Sequence, residues 1–111
     1  MKIFIDDLRE PPGEDWLVFR TAEDFLIWFV WWLNLKGPVD IEEIALDHDL
    51  GEEGMTGHKL MLQLIKELMA GRFQQICNIR FTTHSANPVG RKNIEADITE
   101  LKKLCKERGR G

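Results

Sequence analysis

The sequence predicts a single α/β domain built on a parallel sheet. Short β-favouring runs alternate with longer stretches of helical period. Ile44-Ala45-Leu46 is apolar at three consecutive positions, which fits a strand covered on both faces. Helices between successive strands imply right-handed crossovers and therefore parallel pairing. The 111 residues suffice for one core, and no repeat or linker divides them, so residues 1–111 are expected to form one domain.

Lys2 to Ile5 is the first strand, ending in Asp6-Asp7. "LREPPGED" is a loop, because Pro11-Pro12-Gly13 cannot continue regular structure. Leu17 to Arg20 is a brief strand. Thr21 opens a helix, since "TAED" is an N-cap with an acid three residues on. That helix is expected to run to about Lys36, where Gly37-Pro38 stops it. Glu43 to Asp47 is the third strand, and "GEEGMTG" a Gly-rich loop. His58 to Ala70 carries Leu60, Met61, Leu64, Ile65 and Leu68 at helical spacing and ends at Gly71. Ile76 to Thr83 alternates Ile79 and Phe81 with Asn78 and Arg80, as an edge strand does. Asn87-Pro88 opens a last helix over about 89–107, and "ERGRG" beyond it is expected to fray.

The net charge of −4 argues against a nucleic-acid-coating role. Residues 1–90 hold 8 Lys/Arg against 15 Asp/Glu, and residues 91–111 hold 7 against 4, so the tail is basic. The two cysteines, Cys77 and Cys105, show neither CxxC spacing nor a disulfide framework, which points to a reducing, cytoplasmic compartment. "MKIFIDD" has no signal-peptide pattern. The apolar run Phe25 to Leu33 is nine residues, short of the ~20 that a membrane span needs.

Ligands of an open parallel sheet bind beyond the carboxyl ends of its strands. Here those ends carry Asp6-Asp7, Asp47-His48-Asp49 and His84-Ser85-Ala86-Asn87. Clustered carboxylates repel until a proton or cation relieves them. Mg²⁺ or Mn²⁺ on Asp6, Asp7 and Asp47 suits such hard oxygen donors, with one of the first pair acting through water because strand neighbours point to opposite faces. "HSANPVGRK" supplies the anion-binding half: Ser85, Asn87, Arg91 and the start of the last helix. His48 and His84 are the acid/base candidates, with Asp49 either orienting His84 or joining the metal.

"FLIWFVWWLNL" is apolar all round. One side must pack on the sheet. The other is covered either by the neighbouring helix or by a second subunit, which would make the protein a homodimer through this helix.

"KIFIDD", "IALDHDLGEEGMTG" and "TTHSANPVG" together resemble the cyclic-phosphate processing receiver domain over roughly Lys2 to Ile94. The resemblance implies a truncated flavodoxin-like, receiver-like three-layer fold: about four strands in the order 2-1-3-4, with helices on both faces. Asp6, Asp7 and Asp47 fall on the receiver's Mg²⁺-binding acids, and Ser85 near its hydroxyl residue after the fourth strand. The first receiver helix is replaced by "REPPGED", and no fifth strand with its phosphotransfer lysine is expected. His48, Asp49 and His84 are additions suited to hydrolysis. The implied function is a metal-dependent phosphoesterase acting on cyclic nucleotides or 2′,3′-cyclic phosphate RNA ends. The alternative is a receiver-like signalling or ligand-binding module without turnover, working through a protein partner.

Overall fold

The computed structural model describes residues 1–35, 40–50 and 54–109. Strands β1 (Lys2–Ile5), β2 (Trp16–Phe19), β3 (Glu43–Leu46) and β4 (Arg80–Thr83) form one sheet in the order β2-β1-β3-β4. Every pairing is parallel. Helices α1 (Ala22–Leu33), α2 (Gly57–Met69) and α3 (Pro88–Glu107) follow β2, β3 and β4. The strand order and the parallel pairing are those expected.

Each helix starts on a side-chain cap. Thr21 Oγ1 accepts from the Asp24 N–H at 3.0 Å, and Thr56 Oγ1 from the Lys59 N–H at 3.1 Å. Asn87 Oδ1 accepts from the N–H groups of Val89 and Gly90. Helix α1 ends earlier than expected, at Leu33, where the Asn34 side chain donates to the Val30 carbonyl. The expected stop at Gly37-Pro38, the Gly51–Glu53 part of the Gly-rich loop and the last two residues of the tail lie outside the described residues.

The helices do not divide between the two faces of the sheet. Ile3, Ile5, Ile44, Leu46 and Phe81 point to one face and share a single core with Phe25 and Phe29 of α1, Leu60, Leu64 and Leu68 of α2, and Ile94 and Leu101 of α3. The β2-to-β3 and β3-to-β4 crossovers step the same way along the sheet, so one handedness places α1 and α2 on the same side. Helix α3 packs on α2. Only the β1-to-β2 connection steps the other way, and its ten residues, Asp6 to Asp15, hold no helix. The domain is therefore two layers among the described residues, not three. On the second face Phe4 and Ala45 are buried and Lys2 and Trp16 half-buried: Trp16 meets Phe4 edge-on at 5.9 Å, and the Lys2 ammonium sits over the Trp16 ring.

The expected strand over Ile76–Thr83 is split. Gln74–Asn78 forms a 3-10 turn, entered from Phe73 in the left-handed region (φ 57°), and only Arg80–Thr83 pairs. A disulfide joins Cys77 of that turn to Cys105 of α3, a link the cysteine spacing did not point to. Helix α1 buries Phe25 and Phe29 completely and Trp28 and Trp32 in part. Neighbouring elements leave Ile27, Val30, Trp31 and Leu35 to solvent; Ile27 is 73% and Trp31 58% exposed.

Asp97 is buried in α3 and lies 2.5 Å from His58 Nδ1 of α2. Burial raises the Asp97 pKa, and the His58 hydrogen bond opposes that rise without cancelling it. The folded state then holds this proton more tightly than the unfolded state. Stability contributed by Asp97 is fullest below the ordinary carboxylate value of 3.8 and declines as pH rises through the higher folded pKa. Urea unfolding across this window is expected to show wild type losing stability relative to Asp97→Asn as pH climbs; parallel curves for the two proteins would contradict it.

Candidate functional site

In-register pairing aligns Phe19, Ile5, Leu46 and Thr83 as the last row of the sheet. The residues one step further are Arg20, Asp6, Asp47 and His84. The ladder continues into this row: the Asp6 N–H donates to the Phe19 carbonyl, Asp47 to Ile5 and His84 to Leu46, at 3.1, 3.0 and 3.3 Å. Four segments far apart in sequence thus deliver polar side chains to one edge.

One oxygen from each of Asp6, Asp7 and Asp47 lies within 4.8 Å of the others. Asp6 and Asp47 are buried and Asp7 is half-buried. Asp7 was expected to point away from Asp6. The alternation that motivated this ends with the strand at Ile5, and the turn that follows brings both carboxylates round to Asp47.

Asp6 is the most elaborately held. Its Oδ1 accepts from the N–H groups of Leu8 (2.9 Å) and Arg9 (2.8 Å), and its Oδ2 meets His84 Nε2 at 2.9 Å. Burial pushes the Asp6 pKa up, but the backbone hydrogen bonds and His84 outweigh it, so the carboxyl is held below its ordinary value. An ionised Asp6 is an acceptor only, which places a proton on His84 Nε2. The His84 ring also stacks on Phe4, with centroids 4.4 Å apart and planes 10° from parallel. Asp6 and Phe4 orient His84. Asp49 is exposed and, among the described residues, bonds neither to His84 nor to the acid cluster.

His48 is fixed from two sides. Its N–H donates to Asp47 Oδ1 at 2.7 Å, and its carbonyl accepts from the Gly57 N–H at 2.9 Å. Its ring lies on the first turn of α3, where a β-carbon on Gly90 would overlap it. Gly57 serves a similar end: a β-carbon there would run into the Asp47 carbonyl, so α2 can start against the site only with glycine. The Nδ1 atoms of His48 and His84 are buried and unpartnered among the described residues.

The turn before α3 is bonded to itself. Ser85 is 3% exposed and its Oγ accepts from the Asn87 N–H, leaving its own proton to donate. Asn87 Oδ1 already caps Val89 and Gly90, so two amides expected for an anion are occupied and Asn87 retains only its NH₂. Arg91 pairs with Glu95 one turn along α3 at 3.6 Å. The arginines that reach the acids' surroundings are Arg9 and Arg20. The Arg9 guanidinium donates to the His84 carbonyl, and that of Arg20 to the carbonyls of Asp6 and Arg9. Arg20's place in the row was legible from its position one residue beyond β2. Arg9 carried no comparable signal.

Three carboxylates gathered beside one imidazole, with Asp6 among them held ionised by its hydrogen bonds, form a set of hard oxygen donors that fits a divalent cation such as Mg²⁺ or Mn²⁺. Residues 1–100 match the family model described as "Cyclic-phosphate processing Receiver domain". No curated protein and no solved structure matches the chain.

The Gly90–His48 contact gives a direct check. At an open helical position, Gly→Ala stabilises by about 1 kcal/mol. Gly90→Ala is expected to forgo that gain and to move the His48 imidazole signals in NMR spectra while those of His84 hold. A stabilised protein with His48 unmoved would contradict the packing.

Proposed function

We propose that this chain, which belongs to the cyclic-phosphate processing receiver domain family, is a metal-dependent phosphoesterase that opens cyclic phosphates such as cyclic nucleotides or 2′,3′-cyclic RNA ends. The observation that carries the reading is the convergence of Asp6, Asp7 and Asp47 within 4.8 Å, with His84 hydrogen-bonded to one of them across 78 residues of sequence. Membership of the family supplies the substrate class, and the row at the sheet end supplies groups suited to the chemistry.

Asp6, Asp7 and Asp47 would hold the cation, which when bound supplies charge neutralisation and polarisation of a phosphoryl oxygen. In the step proposed, a water oxygen forms a bond to phosphorus and the ring P–O bond breaks, giving a phosphomonoester and a free hydroxyl. His48 takes the proton of the attacking water. His84, whose Nε2 proton is fixed by ionised Asp6, gives that proton to the departing oxygen. The Ser85 hydroxyl and the Asn87 NH₂ donate to charge building on the phosphoryl oxygens.

Purified protein with Mn²⁺ or Mg²⁺ is expected to hydrolyse at least one member of a panel of 2′,3′- and 3′,5′-cyclic nucleotides. Asp47→Asn and His84→Ala are each expected to lower turnover about a hundredfold or more. No turnover across the panel, or turnover indifferent to Asp47→Asn, overturns the proposal. A stable phosphoryl addition at Asp47 after incubation with a small phosphodonor, read by intact mass, replaces it with a signalling role.

A further inference from the structure

We propose that Arg9 is the substrate-orienting arginine of this site and that Arg20 is the residue that positions it; the inference rests on the phosphoesterase reading and deepens it. Arg9 lies three residues beyond Asp6, in the loop that replaces a β1-to-β2 helix. Its own N–H holds Asp6 Oδ1, and its Nη1 reaches across to the His84 carbonyl at 2.6 Å. One residue therefore ties the metal-binding loop to the turn that carries Ser85 and Asn87. Its guanidinium stands beside both halves of the site.

The bonding of Arg9 differs from that of the other arginines near the sheet. Arg20 pairs with Glu10, Arg80 with Glu43 and Arg91 with Glu95. Among the described residues Arg9 pairs with no carboxylate; its guanidinium meets a neutral carbonyl through one of its five N–H groups. Among the described residues its charge is not spent in an ion pair, and Arg9 is exposed. A cyclic phosphodiester carries one negative charge shared by two non-bridging oxygens, and a guanidinium matches that pair with two parallel N–H groups.

Arg20 explains how a loop residue keeps this position. From the end of β2 its Nη1 donates to the carbonyls of Asp6 (3.2 Å) and Arg9 (2.6 Å), while Nη2 meets Glu10 Oε1 at 3.0 Å. Three residues of the loop hang on one planar group. Arg20 thus sets the angle at which Arg9 leaves the loop, without touching substrate.

The test separates this inference from the reading beneath it. Arg9→Gln and Arg9→Lys are compared with wild type for Mn²⁺ affinity by electron paramagnetic resonance, for inorganic phosphate binding to the Mn²⁺-loaded protein by ³¹P line broadening, and for hydrolysis. Arg9→Gln is expected to weaken phosphate binding and raise KM by about tenfold to a hundredfold. The Mn²⁺ affinity is expected to stay within about twofold, and Arg9→Lys to recover part of the loss. Arg20→Gln is expected to raise KM in the same direction and to add little on top of Arg9→Gln, as coupled residues do. Phosphate binding that depends on Arg9 in a protein without turnover would leave this inference standing and remove the phosphoesterase. Turnover with KM and phosphate binding unchanged in Arg9→Gln would overturn this inference alone. Mn²⁺ affinity falling in step with phosphate binding in both Arg9 variants would reduce Arg9 to a loop brace and overturn it as well.

Discussion

The site depends on register. Four parallel strands end at the same level, so the residue after each one falls into a common row: Arg20, Asp6, Asp47, His84. Three backbone hydrogen bonds extend the ladder through that row and fix its spacing before any side chain acts. The bonds are made by residues whose neighbours are the fully buried Ile5 and Leu46, so hydrophobic packing of the sheet sets the geometry of a polar edge. A slip of one residue in β1 or β3 would turn Ile5 or Leu46 outward and remove an acid from the row together.

Bringing the acids together has an electrostatic cost. Two full charges no more than 4.8 Å apart repel by at least about 3 kcal/mol at an effective dielectric near 20. The chain meets this locally at Asp6, whose carboxylate collects two backbone amides and one imidazole and stays ionised in spite of burial. Asp47 receives one amide, from His48. Arg9 and Arg20 face carbonyls around the cluster without pairing with its carboxylates, so among the described residues no guanidinium neutralises the donor oxygens. The arrangement keeps anionic oxygens beside cationic N–H groups, which is what a cation and a phosphate together require.

Much of this was legible in the sequence, because strand ends are. "IDD", "LDHD" and "THSAN" each follow an apolar run, and in a parallel sheet such ends share one edge. Other features were hidden for physical reasons. The apolar triplet Ile44-Ala45-Leu46 was read as covered on both faces, and all three residues are buried, but the helices lie on the Ile44 and Leu46 side alone. The strand was read back to Ile76, but Ile76 has the opposite parity to Ile79 and Phe81; a 3-10 turn buries one residue in three, and the buried pair Ile76 and Ile79 satisfies that period instead. The Cys77–Cys105 link and the Arg9–His84 contact join residues 28 and 75 apart, and neither spacing carries a local signal. Asp49, read beside His48 as part of the chemistry, is exposed between half-buried His48 and buried Leu50.

The helix-free second face and the loop that holds Asp6 share one segment of chain. Among the described residues the β1-to-β2 connection is the one crossover whose direction would place a helix on the second face, and it holds none. Ten residues with Pro11-Pro12-Gly13 instead keep the loop close to the strand ends, where Leu8 and Arg9 can give their amides to Asp6 and Arg20 can grip two carbonyls. On the second face Phe4 is then covered by Trp16 and by the His84 ring laid upon it. His84 is thus both a cover for the sheet and a partner of Asp6, so the residue proposed to move a proton is also the one whose orientation the sheet packing defines. Economy of cover and precision at the site come from the same short loop.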